Sequence, residues 1–266
     1  MVARSACLAV SALFLATTTP ALADKARDPV KVTQAKNVKG TQRVTVGQFT
    51  VGFLIERKDS AKAGGGLMGS GFGGRSTVRS TLAGYSQEDL QTIADAAYVD
   101  FVSRLTAAGF TVDDRAALAA HPAMAKSKGE SGPKEMTTIT GRDDKAKVMF
   151  ISATQTQPLR LLTGDVVSTG FGAMSTMMSG TQAMNGFTAY AKETGSNVVN
   201  VLYLVDFADS DEYGGWLRNS SAVKVKGSMA LLPDQSKVTV VGANYKSATL
   251  ALANPVAVGG PTGANR

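Results

Sequence analysis

The stretch Val44–Glu56, VTVGQFTVGFLIE, decides how the rest of the chain is read. Phe49, Val51, Phe53 and Ile55 alternate onto one side of an extended segment, and Val44, Val46 and Leu54 are expected on the other. Apolar residues on both sides predict a strand buried from both faces. A second such run, Val198–Phe207 (VVNVLYLVDF), is almost unbroken in its apolar character and predicts a central strand of the same sheet.

Helical periodicity lies between these runs. Over Gln87–Ala108, Leu90, Ile93, Ala94, Ala97, Phe101, Leu105 and Ala108 recur at spacings of three and four, which predicts a helix with one stripe on a core. Ser86 followed three residues later by Asp89 fits a loose capping box, and Gly109 marks the other end. Phe110–Asp113 reads as a short strand and Arg115–Lys126 as a second helix. Residues 127–145, broken by glycine and proline, read as a long surface loop. A strand is expected at Ala146–Ala153, paired with Leu159–Thr169, and a helix at Thr181–Glu193 with Met184, Phe187 and Ala191 on one side. Three further strands are expected at Ala222–Leu232, Lys237–Gly242 and Lys246–Ala253.

These elements predict an α/β (α+β) fold: a mixed, largely antiparallel sheet with helices packed on its face. It forms a single domain over residues 43–254, with a glycine-rich insertion. Residues 24–42 are lysine-rich and aperiodic and are expected to form a flexible arm, and residues 255–266 a disordered tail.

The N-terminus reads as an export signal. Arg4 precedes the short apolar run Cys7–Ala16, and the small residues Ala21 and Ala23 stand just before the charged run that opens at Asp24. Residues 1–23 are therefore expected to be a cleaved signal peptide, which implies the periplasm or outer membrane. The only cysteine, Cys7, would leave with it, which excludes disulfides, thiolate catalysis and cysteine metal sites from the mature chain. Without Arg4, 27 basic residues face 21 acidic ones, an excess suited to an anionic surface or to simple solubility. The basic residues are scattered and no aromatics interleave with them, so nucleic acid is not expected as a partner.

Few residues invite chemistry. His121 is the only histidine and has no acid or serine beside it in sequence, so it reads as a surface residue at a helix end. Asp206, Asp209, Asp211 and Glu212 follow the second apolar run, where oxygen-ligand cation sites and catalytic carboxylates are found. They lack EF-hand spacing, and solvated loop acids are the plainer reading. No catalytic residue and no cofactor are expected. Residues 63–75, AGGGLMGSGFGGR, contain seven glycines and cannot form a helix interior; they make either a loop or a tip ordered by something else, with Ser76–Tyr85 returning as a hairpin. Leu67, Met68 and Phe72 in that tract, Phe171 and Met174 in a second glycine-rich segment, and Trp216 after Gly214 and Gly215 are the candidate interaction residues. The pattern G-F-G-x-x-S-T occurs at both 71–77 and 170–176, while the flanks show no self-similarity.

The order strand, long helix and Leu105–Leu118 (LTAAGFTVDDRAAL), with the later NVVNVLYLVDF strand, resembles the CsgG-like and TolB-N-terminal-like family of periplasmic envelope proteins. There is no lipobox cysteine, and the glycine-rich insertion is unlike that family. The resemblance implies a three-layer α/β domain that assembles into rings and does no chemistry. The chain is accordingly expected to be a noncatalytic oligomeric envelope protein that binds envelope proteins or a membrane surface. The alternative expectation is a secreted or periplasmic hydrolase using the acids at 206–212.

Overall fold

The computed structural model describes residues 28–38, 41–62, 74–139, 145–166, 171–213, 222–243 and 246–257. Two long strands form its centre, β2 (Arg43–Lys62) and β7 (Asn197–Tyr213). They run parallel, in register from Val44 opposite Asn197 to Phe53 opposite Val205. Around them lie β1 (Val30–Thr33), β3 (Arg75–Thr81), β4 (Thr111–Asp113), β5 (Lys134–Ile139), β6 (Lys145–Ser152), β8 (Ala222–Leu231), β9 (Lys237–Val241), β10 (Ser247–Leu252) and β11 (Val256–Ala257). The sheet runs β1-β10-β9-β7-β2-β6-β5, with β3 and β4 also on β2, and β8 on β7. Apart from β2 with β7 and β2 with β4, the pairings are antiparallel, so the mixed, largely antiparallel α/β sheet of a single domain is what the chain forms.

Among the described residues three helices cover the sheet: α1 (Gln87–Ala107), α2 (Arg115–Ala119) and α3 (Phe171–Thr194). On one face Phe49, Val51, Phe53, Val199 and Val201 pack under α1 with Leu90, Ala94, Phe101 and Leu105. The alternate residues of the same strands point the other way. Val198 joins Phe187, Tyr190 and Ala191 of α3, while Leu54, Leu202 and Leu204 join Val148, Phe150, Leu159 and Leu161. Two-sided burial of β2 and β7 explains the apolar runs that mark them in the sequence.

A β-bulge changes one assignment of faces. The register slips between Val46 and Gln48, so Val44 and Val46 fall on the side of Phe49, not on the side of Leu54. Gly47 is the extra residue, and a Cβ there would lie 2.5 Å from Val198 Cγ1, so only glycine fits this close approach of β2, β7 and α3. On α1 the capping box is present: Ser86 Oγ accepts from Asp89 N at 3.1 Å and Ser86 N donates to Asp89 Oδ2 at 2.8 Å. Gly109 takes φ 88° at the helix end. Ile93, expected in the buried stripe, is instead 46% exposed.

Several expectations are corrected. The second helix stops at Ala119, because Pro122 follows and opens a separate 3-10 turn, Pro122–Met124. The supposed loop 127–145 contains β5, a hairpin partner of β6; its polar alternation suits an edge strand with one wet face. In the strand expected at Leu159–Thr169, residues 159–166 do not pair with β6, and 167–169 lie outside the described residues: Leu159 makes one isolated bridge with Glu130, and Leu159, Leu161 and Leu162 serve as a lid of side chains over the sheet. The helix expected at Thr181 begins ten residues earlier, at Phe171. In the arm, Val30–Thr33 pairs with β10, and Val256–Ala257 in the tail pairs with β8. The two G-F-G-x-x-S-T segments are unlike: Ser76 and Thr77 are in β3, Ser175 and Thr176 in α3.

Phe101 is 1% exposed, with its ring centroid 5.6 Å from that of Phe49. Phe101→Ala is expected to cost about 3–5 kcal/mol in urea unfolding, and Phe101→Asp to abolish cooperative unfolding altogether, since it buries an unpaired carboxylate.

Candidate functional site

Beyond residues 57 and 206 each central strand loses its place in the main sheet and keeps one partner. Residues 58–62 of β2 pair only with β3, and residues 208–213 of β7 only with β8. Because β2 and β7 are parallel, both ribbons leave the body at the same end, with β3 alongside β8. The connections they lead into are 63–74 and 214–221. Leu67, Met68, Phe72 and Trp216 fall in these connections and lie outside the described residues.

The root of the two ribbons is held by charge. Arg57 Nε donates to Asp59 Oδ1 at 2.6 Å and Nη1 donates to Asp206 Oδ2. Asp59 and Asp206 are 0% and 4% exposed, and the Arg57 side chain is 20% exposed. Burial works against the guanidinium charge, but Asp206 and Asp59 outweigh it and raise the Arg57 pKa above its ordinary value. Arg57 and Asp59 of β2 are thereby linked to Asp206 of β7 near the point where the two strands part.

This arrangement corrects the reading of the acids. Asp206, Asp209, Asp211 and Glu212 are not on a loop; all four belong to β7. Asp206 is already committed to Arg57. In the backbone register Asp209 stands opposite Lys226 and Asp211 opposite Lys224. Among the described residues, no three His, Cys, Asp or Glu side chains gather as a metal site requires.

His121 stands at the start of the 3-10 turn. Its Nδ1 accepts from Ala123 N at 3.2 Å, its Nε2 lies 2.9 Å from Glu193 Oε2, and its ring meets Tyr190 edge-on at 5.6 Å. The acid absent from its sequence neighbourhood is thus supplied by α3. With a turn hydrogen bond on one nitrogen and a carboxylate on the other, the imidazole ties the turn to the helix.

The second candidate surface is on α3. Met174, Met177 and Met178 are 65%, 57% and 60% exposed and form an apolar stripe at helical spacing. Met174 was singled out in the sequence; Met177 and Met178 were missed, although their i, i+3, i+4 relation was visible once the helix began at Phe171. Phe171 is the first residue of α3. No described helix is long and apolar enough to cross a membrane.

A second ion pair lies at the first residue of β9. Asp165 Oδ1 lies 3.2 Å from Lys237 Nζ, and Asp165 Oδ2 accepts from Leu162 N at 2.7 Å. Burial raises the Asp165 pKa, with Lys237 opposing the shift.

Arg57→Met leaves two buried carboxylates uncompensated and is expected to destabilise the protein by about 3–5 kcal/mol, measured by urea unfolding at pH 7. For Lys237→Met the pH dependence carries the information. A carboxyl whose folded pKa lies above its unfolded value stabilises the fold when protonated and loses that contribution as pH rises through the folded value. Removing Lys237 widens the gap, so the variant is expected to lose about 2 kcal/mol at pH 7 and to recover part of it at pH 4.5. An equal loss at both pH values would show that Lys237 acts through packing alone. No family model, curated protein or solved structure matches the chain.

Proposed function

We propose that the chain is a noncatalytic exported envelope protein, an oligomeric assembly or binding component of the periplasm or outer membrane. The observation that carries this reading is the pair of ribbons. Two strands from the centre of one sheet continue past it, side by side, into the glycine-rich connection 63–74 and the connection 214–221. In this reading a neighbouring subunit or a bilayer covers Leu67, Met68 and Phe72, the large apolar side chains of the glycine-rich tract. The methionine stripe of α3 supplies a second apolar surface of the adaptable kind that partners repack against.

The commitment of Asp206 to Arg57 speaks against a hydrolase built on the 206–212 acids. A carboxylate neutralised by a buried guanidinium is a poor general base and is closed to substrate.

The test is the size of the protein extracted from envelopes in detergent, alongside a variant with residues 64–74 replaced by a short Gly-Ser turn. The expected result is a discrete large assembly for the parent chain and a folded monomer for the variant. A parent chain that is monomeric without detergent would sink the proposal. So would a variant that assembles and fractionates with the envelope as before.

A further inference from the structure

Two half-buried arginines face the same buried segment, and among the described residues neither is paired with a carboxylate. Arg115 donates from Nε to Gly47 O at 3.2 Å and from Nη2 to Thr156 O at 2.8 Å. Arg160 donates from Nε to Ser127 O at 3.2 Å and Ser127 Oγ at 3.1 Å, and from Nη1 to Pro158 O at 3.2 Å. All these acceptors are neutral, and no carboxylate pairs with either guanidinium among the described residues. Burial together with the Arg160 charge lowers the Arg115 pKa to about 10, and burial lowers that of Arg160. A folded protein normally meets such charges with acids, as this one does at Arg57.

The missing charge has a place to sit. A cleft of about 280 Å³ opens beside Arg160, between the turn at Gly129 and the N-terminal half of α3. Arg160, Lys128 and Lys134 contribute cations to its lining and Ser175, Thr176 and Ser179 contribute hydroxyls. Glu130, the one acid in the lining, is paired with Lys134 at 2.6 Å. The hydrogen bonds on Nε and Nη1 hold the Arg160 fork in one orientation, while its Nη2 and the Lys128 ammonium have no partner among the described residues. Fixed guanidinium donors, an ammonium and hydroxyls around a concave surface are the donor set of a phosphate site.

We propose that this cleft binds a phosphate-bearing anion, with Arg160 as its oriented donor and Lys128 and Ser175 as further contacts. Binding supplies the negative charge that the Arg115 and Arg160 pair lacks, so it stabilises the fold as well as recruiting the ligand. A free phosphoester and a phospholipid headgroup present the same chemistry to these donors.

The test compares thermal unfolding of the purified chain in inorganic phosphate and in chloride at equal ionic strength and pH 7.5. At ten times the dissociation constant, phosphate is expected to raise Tm by about 3 °C. Arg160→Met and Lys128→Ala should each lose most of that rise. Ser175→Glu, which places a carboxylate in the cleft, should raise Tm in chloride and abolish the phosphate response. Should Arg160→Met fail to fold, the other two variants carry the comparison, because the side chains of Lys128 and Ser175 make no hydrogen bond or ion pair among the described residues. No rise in the parent chain, or an equal rise in parent and variants, overturns the proposal, the latter being a general salt effect. Sedimentation with phosphatidylglycerol and phosphatidylcholine vesicles then separates the sources. Retention on phosphatidylglycerol alone, competed by phosphate, assigns the lipid headgroup; a phosphate response without retention assigns a soluble ester.

Discussion

The parallel pairing of β2 with β7 is the constraint on which the molecule is built. The two strands are about 150 residues apart in sequence, and their contact brings both helical layers onto one sheet. Each strand must then be apolar on both sides, since α1 occupies one face and α3 with the Leu159–Leu162 segment the other. Where the demand for apolar side chains meets the demand for close approach, the chain uses glycine. At Gly52 a Cβ would lie 2.4 Å from Leu204 Cδ2 and 2.9 Å from Phe150 Cε1, so the two larger side chains fill the space that the glycine leaves.

Parallel pairing also has a geometric result that antiparallel pairing would not. It sends the C-terminal ends of both central strands out of the body in one direction, so that two segments remote in sequence become neighbours. Arg57 sits at that exit and joins both strands through Asp59 and Asp206. The ion pairs fix orientation more than they add stability, because much of the attraction is offset by the desolvation of three charges. An orienting contact is what a paired ribbon needs if its two ends are to present one surface.

Those parts of the fold that rest on burial periodicity could be read from sequence, and those that rest on pairing partners could not. Val198–Phe207 and the Leu90–Leu105 stripe announce themselves because each carries its own environment in its composition. β5 did not, since Lys134–Ile139 is an edge strand whose alternation is mostly polar, and only its register against β6 identifies it. The Val44–Val46 faces were misassigned because a bulge is a relation between two strands and leaves no mark on one strand except a glycine. The acids at 206–212 looked like a loop cluster for the same reason. Arg57, which holds Asp206, and β8, which pairs with residues 208–213, lie elsewhere in the sequence. The cleft beside Arg160 gave no sequence signal at all, since Lys128, Arg160 and Ser175 belong to three separate segments with no common motif.

The methionine stripe of α3 has a chemical side as well as an apolar one. Met174, Met177 and Met178 expose thioethers to solvent in a chain whose single cysteine, Cys7, lies in the N-terminal apolar run. Their sulfurs are therefore among the first groups that an oxidant meets. Conversion to sulfoxides would make the stripe polar, and none of the three belongs to the buried clusters of the described residues. If this stripe is the partner surface of the proposed assembly, its affinity would follow the redox state of its surroundings.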